Sequence, residues 1–243
     1  DALGRERRAD LIRRRQVHEH VGGGPAGLAA AQALAQRLGA APVGRPLSSW
    51  LSAQENARLA ALSRRLGIPA GALEPMAPWA AALTLTLIPI LRAGYDPQSG
   101  VDRSIDAYGD AHSKRMRAFE TVEAQIGFLA GLSPELQRQM LLEAIDETEI
   151  GPALLAQLSA AWESGDIETL ERLVVEDTRA DYPELYEVLF RRRNAAWMGA
   201  LMQELDGAGV DFVAVGAGHL LGEDGLVAQL RARGVSVERI GAR

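Results

Sequence analysis

The sequence contains no cysteine, which excludes disulfides, thiolate metal sites and a cysteine nucleophile. Aromatic residues are scarce at 5%, so Leu, Ala, Val and Ile must fill the core, and a hydrophobic content of 47% over 243 residues is enough for a sizeable one. No run of about 18 apolar residues occurs, so a membrane span is not expected. The longest apolar stretch, residues 79–91, is interrupted by two threonines and a proline. No segment has the organisation of a secretory signal. Basic residues are outnumbered, and the net charge of -6 argues against a general nucleic-acid binder. The clusters Arg5-Glu6-Arg7-Arg8 and Arg13-Arg14-Arg15 read as solvated or frayed segments rather than as a binding arm.

What is present divides at about residue 46. Residues 1–46 hold the arginine clusters, the glycine segment Gly22-Gly23-Gly24-Pro25-Ala26-Gly27 and a Pro/Gly stretch at 40–46. They are expected to form a divergent N-terminal segment, partly disordered, ahead of a domain over 47–243. From Ser52 onward the pattern is helical. Ser52 and Glu55 have capping-box spacing, Leu59, Leu62 and Leu66 share one helix face, and Gly67 stops the helix. A mostly apolar helix is expected over 75–92, ended or kinked at Pro89. Further helices are expected over 101–112, 121–132, 134–147, 152–163, 167–175 and 183–206, with a short strand at 117–119. The end of the chain reads as strand (211–215), glycine turn, helix (223–233) and strand (235–240), the order of a parallel crossover. The expected class is α/β: helix-rich, with a small, mostly parallel sheet and a large helical insertion over 47–93 and 134–206.

Two segments carry chemistry. In Val215-Gly216-Ala217-Gly218-His219-Leu220 a strand delivers a histidine through a tight glycine turn. That position, the carboxyl end of a strand, is where open α/β sheets place ligands. Neutral imidazole ligates zinc or iron well, and the plainer alternative is a histidine that hydrogen-bonds its own turn. The other segment, residues 22–31, has the glycine spacing of a dinucleotide-binding loop opening an alanine-rich helix. Its flanks do not fit. Residues 15–21 are not an apolar strand, and no Asp or Glu lies between Val21 and Gln54 to meet a ribose. His18-Glu19-His20 would place two imidazoles on one face of an extended segment.

The spaced residues Arg193-Asn194, Phe212 to Leu220, Gly222, Gly225-Leu226, Leu230, Gly234 and Val237 resemble the C-terminal signature of the TraB/GumN family, which includes the TIKI-like proteases and pheromone-shutdown proteins. Residues 119–125, Gly94-Tyr95-Asp96, Gly100-Val101-Asp102 and Pro78-Trp79 resemble other parts of its pattern, so that the likeness runs from about residue 46 to 240. The resemblance implies a metal-dependent hydrolase, a peptidase being one form of it, with two Gly-x-x-His motifs and a glutamate. His219 would then be a divalent-metal ligand or base, and Glu120 a second ligand or the activator of a metal-bound water. Arg193 would brace Glu120 or hold a substrate carboxylate, and Asn194 would orient that pair. Gly216, Gly218, Glu123 and Asp102 would support the site. The substrate would be a peptide or small molecule, in an extracytoplasmic location.

One departure bears on activity. The first Gly-x-x-His motif is not found: Arg15 and Val17 stand where His18 and His20 would need glycine. Gly109-Asp110-Ala111-His112 has the spacing, but on an expected helix with no strand before it. Loss of one metal-binding histidine would impair catalysis. The rivals are a non-catalytic binding member of the same fold and a dinucleotide-binding protein using residues 22–27.

Overall fold

The computed structural model describes residues 16–22, 25–96 and 99–241, with side chains from residue 30 onward. The arginine clusters and the side chains of His18, Glu19 and His20 lie outside the described residues. Helices dominate: α1 (Pro25–Leu38), α2 (Ala53–Arg65), α3 (Pro78–Arg92), α4 (Val101–Ala111), α5 (Val122–Ala130), α6 (Pro134–Ile150), α7 (Pro152–Ser164), α8 (residues 167–181), α9 (residues 183–205) and α10 (Leu226–Ala232). Three strands are formed, β1 (Gln16–Gly22), β2 (Met116–Thr121) and β3 (Asp211–Val213).

Local chemistry sets the helix ends. Ser52 and Glu55 make a reciprocal capping box at α2. Thr121 and Ser133 cap α5 and α6 through their hydroxyls, and proline opens α3, α6 and α7. Pro89 does not end α3, which runs on to Arg92; its missing N–H falls in the last turn, where one lost bond does not stop the helix. The helix is also less buried than its composition suggests. Trp79, Ala81, Ala82 and Leu85 are in the core, while Leu83, Leu87 and Leu91 stay exposed. Leu59, Leu62 and Leu66 of α2 pack on this inner face together with Leu141 and Ile145 of α6.

The two long helices before β3 are irregular in matching ways. α8 contains a π-helical turn at Arg172–Glu176, and α9 contains one at Glu187–Arg191. Such turns shift the register of the side chains that follow. Nothing in the 3.6-residue pattern announces them.

β1 pairs in parallel with β2, with Val21 opposite Glu120, and in parallel with β3, with His18 opposite Val213. The order is β2-β1-β3. The sequence gives no early strand, because residues 16–22 lack the apolar run that a central strand usually shows. Residues 235–240, expected as a strand, form none. Their apolar and polar residues alternate, but Ile240 is exposed, and among the described residues no strand pairs with them. Alternation alone does not make a strand without a neighbour to bond. β1 leads through the glycine segment to α1, with residues 23–24 outside the described set.

Candidate functional site

The strands are parallel, so their carboxyl ends share one edge of the ladder. Glu120 stands near the end of β2, and the Gly216 turn follows β3. Across that edge lies α9, whose residues 193, 194 and 197 face inward.

Arg193 and Trp197 are four apart on α9 and so lie on one helix face. Both turn to Glu120. Arg193 donates from Nε to Oε1 at 3.0 Å and from its terminal nitrogen Nη2 to Oε2 at 2.8 Å, a bidentate pair. Trp197 Nε1 donates to Oε1 at 3.0 Å. The Arg193 and Glu120 side chains are only 14% and 19% exposed, so this is an ion pair largely withdrawn from water. Arg193 also donates to the Leu189 carbonyl inside the π turn and lies 5.0 Å from the Trp197 ring centre.

Asn194 is one residue further round the helix and reaches a different partner. Its Nδ2 donates to the Asp224 carbonyl at 2.9 Å, which leaves Oδ1 as the acceptor. That oxygen lies 2.7 Å from His219 Nδ1. The Nδ1–H therefore points at Asn194, which in the neutral ring puts the lone pair on Nε2. Asn194 and His219 are both buried, at 1% and 6% exposure. The expectation that Asn194 orients the Arg193–Glu120 pair is thus replaced: it orients His219. A step of about 100° around the helix separates it from Arg193.

Trp197 joins the two halves. Its N–H holds Glu120 while its ring lies 4.5 Å from the imidazole, with Phe119 stacked on it. Phe190 approaches His219 at 5.4 Å. Beneath Asn194, the Asp224 carboxylate accepts a 3.0 Å bond from the Tyr186 hydroxyl. Burial, reinforced by that bond, pushes the Tyr186 phenol up to about 12. Sequence reasoning singled out neither Trp197 nor Asp224. The i, i+4 spacing from Arg193 was the available signal for Trp197. A backbone carbonyl 30 residues away leaves no signal.

The two glycines differ in what they do. A Cβ on Gly218 would stand 2.7 Å from Phe190 Cε1 and 3.0 Å from Val174 Cγ1, so only glycine fits. Those two side chains are the ones that the π turns of α8 and α9 deliver. A Cβ on Gly216 would meet nothing closer than His219 Cδ2 at 3.8 Å, an ordinary contact. Next to the turn is a cavity of about 600 Å³, with His219, Phe190, Val174, Leu158 and Trp162 among its walls.

Other expected residues lie elsewhere. Glu123 is exposed in the first turn of α5, and Asp102 is exposed in the first turn of α4. His112 ends α4, stacks on Tyr108 at 3.9 Å and bonds the Tyr108 carbonyl at 2.8 Å, a local arrangement apart from the cluster. Among the described residues no group of three or more His, Asp or Glu side chains gathers as a metal site would require.

No curated protein and no solved structure matches the chain. A family model does match, over residues 24–239, which takes in part of the N-terminal segment as well as everything from β2 to α10. With that extent and the Arg193, Asn194 and His219 cluster inside it, the chain belongs to the TraB/PrgY/gumN family.

Proposed function

We propose that the protein is a hydrolase acting on peptides, with His219 as its reactive group. The observation that carries this reading is the imidazole itself: buried, held through its Nδ1–H by Asn194, and set in the wall of a cavity of about 600 Å³. A histidine whose Nδ1–H is held presents Nε2 in a constant orientation, as general-base and ligand histidines require. There it would take the proton of a water attacking a carbonyl, while the Asn194 oxygen steadies the Nδ1–H. Glu120 and Arg193 act through Trp197, holding its ring against the imidazole, and are positioning residues. The α/β assignment belongs to the same proposal. The parallel ladder sets Glu120 and the Gly216 turn at one edge, where open sheets place ligands.

The resemblance also implies a divalent metal bound by His219 and Glu120. The described residues do not fit one by themselves. Both Glu120 oxygens already accept N–H bonds, and one imidazole is no metal centre. No step is derived through a metal. Metal analysis of the purified protein decides this part: equal metal in wild type and His219→Ala removes His219 as a ligand.

The hydrolase reading is tested by incubating the protein with a peptide mixture, with and without zinc, manganese or cobalt salts, and reading new termini by mass spectrometry. Cleavage by wild type that falls about a hundredfold in His219→Ala supports it. No cleavage under any of these conditions overturns it. The engaged state of Glu120 then favours the second reading, a member of the family that binds a ligand in the same cavity without turning it over.

A further inference from the structure

The cavity beside His219 is walled mostly by carbon, from Phe190, Val174, Leu170 and Leu158. Two aromatic rings at its border are unusually open to solvent: Trp162 is 60% exposed and Tyr95 49%. Tyr95 comes from the turn after α3 and is pinned to α7 by a 2.7 Å bond between its hydroxyl and Ser159 Oγ. Large exposed aromatics beside an apolar hollow are what a ligand's apolar group would cover. The lining also has a sign. Among the described residues, Glu163, next to Trp162 on α7, is its one carboxylate, no arginine or lysine lines it, and Glu163 forms no ion pair. Aromatic faces and a carboxylate both attract cations and repel anions.

We propose that this cavity binds an apolar amine, a ligand joining an aromatic or branched aliphatic group to an ammonium. The apolar group lies against Phe190, Val174 and Leu158, Trp162 and Tyr95 close over it, and Glu163 pairs with the ammonium. As a statement about substrate, this rests on the hydrolase reading: the bond cut would lie near an apolar residue with a positive charge close by, such as a peptide's amino terminus. As a statement about binding, it does not.

The test uses three ligands of one shape, naphthylmethylamine, naphthylmethanol and naphthoate, titrated into the full chain by ligand-observed NMR. The amine is expected to bind best and the carboxylate worst, with the amine about fivefold ahead of the alcohol, the size an exposed charge pair can supply. Glu163→Gln should bring that ratio close to one. Trp162→Ala should weaken amine and alcohol alike by about tenfold. Both positions are exposed, so neither variant threatens folding. Equal binding of amine and alcohol to wild type, a preference that survives Glu163→Gln, or no binding of the amine at all overturns the proposal. The predicted order supports it even if no peptide is cleaved. Amine binding kept in His219→Ala separates the cavity's selectivity from the chemistry at the imidazole.

Discussion

Two sets of poorly exposed carboxylates stand in this molecule and are answered in opposite ways. At the end of β2, Glu120 receives three N–H donors, two of them from a guanidinium. On α6, Glu143 receives one hydroxyl, from Thr178 at 2.6 Å. The charges that act on it most are Glu147, Asp146 and Asp181, all of its own sign. Arg58 crosses from α2 to α6, but its bonds go to Asp146 and Glu149, and among the described residues no ion pair forms with Glu143 or Glu147. Burial, helped by the neighbouring carboxylates, pushes Glu143 up to about 7, and burial raises Glu147 too. A carboxylate given its counter-charge works as a structural clamp. One denied it becomes sensitive to pH.

The comparison breaks most visibly at Arg193. Arg193→Met takes a guanidinium and its two N–H donors away from the Glu120 charge, in a place with little water. A loss of about 3 kcal/mol is expected in urea unfolding. Adding Glu120→Gln should return much of it, because the charge that lost its guanidinium is then gone. An unchanged urea midpoint in Arg193→Met would mean that the guanidinium is not what holds Glu120. Next in size is Gly218→Ala, where the new methyl must displace Phe190 or Val174, at about 2 kcal/mol. Gly216→Ala, with room for its methyl, should lose under about 0.5 kcal/mol, and the contrast between the two glycines checks the packing directly.

Much of this was legible in the sequence. The capping box at Ser52, the face of Leu59, Leu62 and Leu66, and the proline-started helices are local signals, and local structure obeyed them. Arg193, Asn194, Glu120 and His219 were recognisable as residues, and the fold brings all four into one connected cluster. What failed was non-local. β1 carries a polar sequence and becomes a strand because β2 and β3 flank it, whereas residues 235–240 carry the right alternation and pair with no strand among the described residues. Two π turns, invisible to a helical period, bring Val174 and Phe190 against Gly218. The partner of Asn194 was assigned wrongly because a single helical step moves a side chain to another face.

Glu143 gives the pH arm of the comparison. Its folded pKa is raised, to about 7 against the ordinary 4.5. Below 4.5 both states hold the proton and no difference arises. Between there and 7 the folded protein keeps a proton that the unfolded chain releases, so stability falls as pH rises through that window and levels off above it. The full shift would correspond to about 3 kcal/mol, and water in the cavity of about 300 Å³ that Glu143 lines reduces this to on the order of 1–2 kcal/mol. Glu143→Gln should therefore match wild type near pH 4.5 and exceed it at pH 8. Thermal melts across that range would show two parallel curves if the unpaired carboxylate were not the cause.

The smallest effect belongs to the cation at the edge of that cluster. Arg58 and Asp146 are 36% and 45% exposed, and water screens such a pair, so Arg58→Met should lower stability by less than about 1 kcal/mol. Its informative effect is on protonation. Asp146 also accepts the Tyr182 hydroxyl and is one of the charges that holds the Glu143 proton on. With Arg58 gone, the field of Asp146 is no longer partly cancelled, and Glu143 should titrate at a higher pH, read from its side-chain carboxyl carbon by NMR. The Arg193 variant should leave that titration where it is, since Arg193 serves a carboxylate in the other cluster. If Arg58→Met and Arg193→Met moved it equally, the two sets would share one field, and the contrast between a clamped glutamate and an unanswered one would lose its physical basis.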